Sequence, residues 1–408
     1  MLQKLVAIFA LTFAFAACAQ TPGFWFLQPE AGERGIEVDC ISRDGAFIGG
    51  GISYSDTSRG ASPFLWSAST GRLIFDDGVA SQGESIHGFT ADLQVLAGTM
   101  GIVHMTSSAR PFRRVGSDPF TPISPPAGFT YGVGHSLSDD GNVLAGTWTR
   151  VVGANYFQQP FVWTPARGAV LFGQLSYDAQ AYALSRDGST VVGGTDFTAF
   201  AWTAQSGFQT LQPLPGSTWY VAVAVNTTGV YIAGTNYGPN GPALVRWTNR
   251  IPEDLGHMQG YTELGAIGIS DDGMIIAGAA NQVLVVWRQG HGFSLFGDFL
   301  AANGANLPSS FTLDTLSAMS PDGRTFTGNG TLNAVYGAYV ITLPPYCGSA
   351  DFDGDGDTGT DADIEAFFLC VAGSCCATCG SADFNGDYDT ATDADIEAFF
   401  RVLAGGHC

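Results

Sequence analysis

The chain repeats itself seven times, and that periodicity leaves few folds open. Ser185-Arg186-Asp187-Gly188 is followed by Thr190-Val191-Val192-Gly193. The same nine-residue frame starts at Ser42, Ser138, Ser270 and Ser320, with weaker copies from Thr90 and Asn226. Its last residue is always glycine: Gly50, Gly98, Gly146, Gly193, Gly234, Gly278 and Gly328. The intervals are 48, 48, 47, 41, 44 and 50 residues.

Immediately upstream of each frame stands a large apolar residue (Ile41, Phe89, Leu137, Leu184, Val225, Ile269, Met319). One step earlier stands a small one, such as Cys40, Gly88, Ser136 or Ala183. That alternation reads as a strand with two unlike faces. A slot restricted to small side chains implies close approach of another backbone. Asp-Gly then supplies a hairpin turn. A third strand typically ends in Trp (Trp66, Trp163, Trp202, Trp247, Trp287), and a fourth often opens with Gly (Gly71, Gly168, Gly207, Gly292). Four strands per unit of about 45 residues predict propeller blades. The fold class expected is therefore mainly β, a seven-bladed β-propeller over residues 20–343, with the small-residue strands lining its axis.

Repeat seven stops at Leu343-Pro344-Pro345 without a fourth strand. GFWFLQP at 23–29 matches GFQTLQP at 207–213, the fourth strand of repeat four, in five of seven positions. The N-terminal segment is thus expected to complete the last blade and pair its open edge. Ala199-Phe200-Ala201-Trp202 and the Ser185–Gly193 frame resemble the HAF repeats of secreted bacterial proteins. The resemblance spans residues 36–343 and implies secretion and a β-repeat architecture, with no chemistry attached. The His of the family name is missing from every copy.

Beyond a short Pro linker at 344–346 the composition changes. Residues 347–408 carry 13 Asp plus Glu against one Arg, about −12, while the remaining 346 residues hold 24 acids and 15 bases. CGSADFDGDGDTGTDADIEAFF from Cys347 recurs from Cys379 as CGSADFNGDYDTATDADIEAFF. Asp351, Asp353, Asp355 and Asp357 alternate as a loop wrapped round a hard cation requires, with Gly356 at the sharp turn. The second copy offers Asp383, Asn385, Asp387 and Asp389. Thr360 and Asp363 predict a capped helix, with Ile364, Phe367 and Phe368 on its apolar face. The pair resembles the duplicated calcium loop-helix of type I dockerins, which implies two calcium ions and a cohesin-like or cell-surface protein partner. Two departures stand out. The loop-closing acid is displaced by one residue, to Asp363 and Asp395, and Tyr388 replaces the turn glycine in the second copy.

Six cysteines lie in this module. Cys347 to Cys376 and Cys379 to Cys408 share a 29-residue interval, which suggests one bridge per unit and leaves Cys370 with Cys375. Sequence alone permits 15 connectivities. A module of 62 residues needs such staples and metal, and Cys40 reads as a buried structural thiol.

Residues 1–19 read as a signal peptide, with lipid attachment at Cys18 as the alternative. A secreted, extracellular or cell-surface location follows, with no membrane span after the leader. The net charge of −21 argues against nucleic acid. No HExxH or phosphate loop occurs, and Gly134-His135-Ser136-Leu137-Ser138 lacks the last glycine of a nucleophile elbow. Catalytic residues are accordingly not assigned. The expectation is a non-enzymatic scaffold whose propeller takes a glycan or protein and whose C-terminal module docks or anchors it. The alternative is a polysaccharide-degrading hydrolase or lyase on the same scaffold.

Overall fold

The computed structural model describes residues 23–56, 60–75, 84–101, 109–172, 178–344, 348–376, 378–385 and 390–405. The leader, Cys18, Cys347, Asp387, Tyr388, Asp389 and Cys408 lie outside the described residues. Seven antiparallel sheets succeed one another along the chain, one per repeat, and form a propeller ring. The innermost strands are Glu33–Ile41, Glu84–Phe89, Tyr131–Leu137, Ala179–Leu184, Trp219–Val225 and Gly265–Ile269. In blade 7 the inner strand is split into Phe311–Leu313 and Ala318–Met319.

The ring closes as the repeats require. Gly23–Leu27 pairs antiparallel with Val335–Thr342, with Phe24 opposite Ile341 and Phe26 opposite Tyr339. Its rings also bridge two blades. Phe24 packs on Phe311 of blade 7 at 4.7 Å between centroids, and Trp25 meets Trp66 of blade 1 edge-on at 6.0 Å. The closing strand therefore buries aromatic surface on both sides of the seam.

The core is divided among the seven blade-to-blade interfaces. Ile36, Val38, Ile48 and Phe64 of blade 1 pack with Ala338 and Val340 of blade 7. Cys40 and Leu65 pack with Ile86, Phe89 and Phe112 of blade 2, and so on round the ring. The small slot faces this interface. A side chain at Gly88 would meet the Leu137 Cβ of blade 3 at 2.7 Å, and one at Gly268 the Met319 Cβ of blade 7 at 3.1 Å. One helix, α1 (Phe296–Ala302), is inserted between blades 6 and 7, where Phe296, Phe299 and Leu300 are buried against Phe326.

The repeated Ser-x-Asp is a turn device. Ser185 Oγ donates to Asp187 Oδ1 at 2.6 Å and accepts the Thr190 N–H at 2.9 Å. Asp187 Oδ1 accepts the Ser189 N–H at 2.9 Å. The same set recurs from Ser42, Thr90, Ser138, Ser270 and Ser320. In blade 5, Asn226 Oδ1 takes the Tyr231 N–H instead. These acids hold hairpins together by local side-chain bonding.

The invariant glycine has a separate cause. Each of the first six inner strands carries a β-bulge, at Asp39, His87, His135, Tyr182, Val223 and Ile267, where the register skips one residue. A bulge leaves its extra residue unpaired and bends the strand. Here it folds an inner-strand carbonyl over the second strand. A Cβ at Gly50, Gly98, Gly146, Gly193, Gly234 or Gly278 would overlap the carbonyl of Glu37, Ser85, Val133, Gln180, Val221 or Gly265. Gly328 sits under the Thr315 carbonyl in the same way.

The C-terminal residues form two helices, α2 (Asp361–Val371) and α3 (Asp393–Leu403), each opened by a capping box from Thr360 with Asp363 or Thr392 with Asp395. Phe352, Phe367, Phe384 and Phe399 make the module's own core, with Phe367 stacked on Phe399 at 4.0 Å. Gly348 N–H donates to the Phe384 carbonyl and Gly380 N–H to that of Phe352, both at 2.9 Å, so the two loops clasp each other reciprocally.

Candidate functional site

Two places gather chemistry: the first acidic loop and the axis of the ring.

In the loop, Asp351, Asp353 and Asp355 each bring an oxygen within 4.8 Å of the other two, the one such group of three among the described residues. Asp351 Oδ2 accepts the Gly356 N–H at 3.1 Å, drawing the loop closed at a residue with φ +97°. Asp351 Oδ1 is buried and has no donor. An uncompensated buried carboxylate oxygen is costly. Asp357 lies outside that group and donates its N–H to Asp355 Oδ1 at 2.8 Å.

Asp363, expected to reach inward as a metal ligand, stands in the first turn of α2. Its side chain is fully buried. Oδ1 accepts the N–H groups of Phe352 (2.7 Å) and Asp353 (3.3 Å), and Oδ2 accepts the N–H (2.8 Å) and Oγ1–H (2.9 Å) of Thr360. Burial alone would raise its pKa, but these bonds win and hold the carboxyl below its ordinary value. Asp395 repeats the pattern with Phe384, Asn385 and Thr392. Both acids cap a helix and tie it to the loop. Asp383 and Asn385 occupy the positions of Asp351 and Asp353 in the second loop.

The bridges also differ from equal-interval pairing. Cys370 joins Cys375, and Cys376 joins Cys379, with Cα atoms 4.0 and 5.1 Å apart. Cys376 and Cys379 are thereby unavailable to Cys347 and Cys408. The 29-residue interval records the duplication, while the Cys379 N–H donates to the Cys376 carbonyl at 3.3 Å and holds the two cysteines close.

On the axis, the bulges aim their extra side chains into the lumen. Asp39, His87, His135 and Tyr182 from blades 1–4 form a polar arc, and Val223 and Ile267 from blades 5 and 6 form an apolar one, with Ser317 of blade 7 between. They line a cavity of about 240 Å³. Ser85 Oγ donates to Asp39 Oδ2, and His87 Nε2 stands 3.9 Å from the same oxygen. Burial, with His87 nearby, pushes His135 down to about 4, so its ring is neutral at pH 7. Burial raises Tyr182, which stays a phenol.

At the hairpin-turn end of this cup, Arg186 reaches across from blade 4. Its Nη2 donates to the Ile41 carbonyl of blade 1 at 2.9 Å, and Nη1 lies 3.3 Å from Asp139 Oδ1 of blade 3. Blades 1 and 4 face each other across the ring, so the guanidinium bars the lumen. Beside it, the Thr227 N–H and Asn226 Nδ2 donate to Asp271 Oδ1 and to its carbonyl, at 2.8 and 3.0 Å. The Thr227 Oγ1 is buried without a partner. Nothing in either segment taken alone signals that His87 and His135, 48 residues apart, line one lumen. The usable signal was positional: the residue before each small slot is Asp, His, His, Tyr, Val, Ile or Ser, and polar types cluster in consecutive repeats.

No protein-family model and no curated protein matches the sequence. Solved structures do match. The β-propeller domain of the Trilobed protease from Pyrococcus furiosus superposes with a TM-score of 0.50 at 8% identity, over 76% of this chain and 96% of that one. A chain of the Mitotic Checkpoint Complex gives 0.46 at 16% identity, over 84% and 98%. Prolyl oligopeptidase B from Galerina marginata gives 0.45 at 10% identity over 77% of this chain, which spans about half (48%) of the peptidase. At these identities the shared property is the propeller fold.

Proposed function

We propose that the chain is a secreted or cell-surface, non-enzymatic binding protein. Its propeller presents a platform for a glycan or protein, and its C-terminal module binds calcium and docks or anchors it. The observation that carries this reading is the trio Asp351, Asp353 and Asp355 with the orphaned Asp351 Oδ1. Oxygen-only donors on a glycine-turned loop fit a hard divalent cation. Calcium bound there would offset the three carboxylates and cross-link the loop. A second ion would use Asp383 and Asn385 and, by the sequence repeat, Asp387 and Asp389.

A docking face is supported by Phe368 and Phe400, equivalent residues of α2 and α3. Their rings lie 6.1 Å apart and stand 41% and 46% exposed. Together with exposed Leu369 they form an apolar patch on a module that is otherwise strongly acidic. This suits a cohesin-like or cell-surface protein. The binding reading is preferred to a glycosidase on the ring because Asp271 already serves the Thr227 N–H, which leaves Asp39 as the carboxylate facing the polar arc. Glycoside hydrolysis ordinarily needs a pair.

Isothermal titration of the chelator-treated full chain tests the metal. Two calcium ions are expected, one of them lost in Asp351→Asn with Asp355→Asn. Absence of calcium binding at millimolar concentration would refute the reading. Calcium-dependent retention on the producing cell's surface, abolished by Phe368→Glu with Phe400→Glu, tests the docking.

A further inference from the structure

The axial cup lies apart from the calcium module's residues, and its wall is mixed, polar on one side and aliphatic on the other. Four features define what it can hold. Its size, about 240 Å³, lies below the range of about 300–1,000 Å³ usual for drug-sized ligands. The polar arc carries hydroxyl, imidazole and carboxylate groups, and the facing arc is aliphatic. Its hairpin-turn end is closed, with the Thr227 Oγ1 buried out of reach of the lumen. Arg186 crosses the lumen there, so no polymer threads the ring.

We propose that the axial cup binds one sugar residue, the end unit of an extracellular glycan, with its hydroxyls on Asp39, His87, His135 and Tyr182 and its C–H face on Val223 and Ile267. A pyranose has this division: hydroxyl edges that donate and accept, and an apolar ring face. The groups offered are matched to it. A neutral imidazole and a phenol each donate and accept, and a carboxylate accepts from two hydroxyls. A cationic ligand is disfavoured because Arg186 places positive charge at the cup's end. An anionic one is disfavoured by Asp39 and Asp271. The assignment rests on the ring being a binding platform and narrows it to one place and one chemistry.

The test uses the full calcium-loaded chain and the probes glucose, galactose, mannose, N-acetylglucosamine and glucuronic acid, with choline as the cationic comparison. Imidazole ¹H–¹⁵N signals of His87 and His135 are followed through each titration. At least one neutral sugar should shift both signals saturably at millimolar concentration. Asp39→Ala and Tyr182→Phe should each weaken that sugar about tenfold, the loss of about 1.4 kcal/mol expected when one hydrogen bond goes. Their thermal midpoints should match wild type. The proposal is overturned if no sugar moves the two rings, if choline alone does, or if neither variant weakens binding. Sugar binding seen at other residues while both rings stay silent would sink the cup and leave the platform intact. Failure of every glycan and protein to bind the ring would sink both.

Discussion

Adding one methyl group at Gly193 should damage the ring more than its size suggests. The new Cβ would overlap the Gln180 carbonyl and stand 2.7 Å from Cε1 and Cζ of Phe200. Phe200 is fully buried and cannot swing into solvent. Relief requires flattening the bulge, which would withdraw Tyr182 from the lumen and disturb the 3.2 Å bond from the Ala181 N–H to Thr147 Oγ1 of blade 3. Overpacking of a well-filled site costs about 1–3 kcal/mol, and a strained bulge adds to it, so Gly193→Ala should lose about 3 kcal/mol. For a domain this large that corresponds to a fall of about 4–5 °C in melting temperature. Gly297 provides the control. It lies in α1 with nothing within 4 Å of its would-be Cβ, so Gly297→Ala should gain about 0.5–1 kcal/mol from helix propensity alone. Urea unfolding and calorimetry on both variants give the comparison. A Gly193→Ala protein within about 0.5 kcal/mol of wild type would refute the claim that the repeat glycine exists to accept a folded-over carbonyl.

Removing the Asp363 carboxylate by Asp363→Ala strips four hydrogen bonds and leaves the buried Phe352 N–H unpaired. The module should lose about 3 kcal/mol while the ring's own transition is unchanged, which hydrogen exchange resolves by segment. Acid should act on both parts. Asp363 has a lowered folded pKa, so its contribution is present above the unfolded value and is lost as pH falls through the folded one. His135 also has a lowered folded pKa, about 4. Between that value and about 6.5 the unfolded chain binds the extra proton, so stability falls with pH across this window. The loss is about 3 kcal/mol at most, and less where lumen water screens the ring. His135→Gln should remove that part of the pH dependence in urea titrations.

The features legible in the sequence were those that backbone geometry forces on every copy. Seven glycines, seven small slots and a Ser-x-Asp turn recur because each serves a carbonyl, a neighbouring blade or a hairpin. The closing strand was readable because GFWFLQP copies another fourth strand. The site was less so. A bulge tolerates any side chain, so Asp39, His87, His135 and Tyr182 share position without sharing type. The four donors to Asp363 come from chain turns that spacing does not report. Cys376 and Cys379 pair across a local turn, where an equal interval pointed elsewhere. Helix α1 had its own signal in the i, i+3, i+4 spacing of Phe296, Phe299 and Leu300, overshadowed by the repeat.

The cup, the bulges and the barred lumen all presuppose a closed circle sealed by Gly23–Leu27. Hydrogen exchange of the peptide spanning those five residues, read by mass spectrometry in the native full chain, tests the seal directly. Protection comparable to that of its partner strand Val335–Thr342 is the predicted result. Complete exchange within seconds while the partner strand stays protected would show the seventh sheet open at its outer edge and contradict the account.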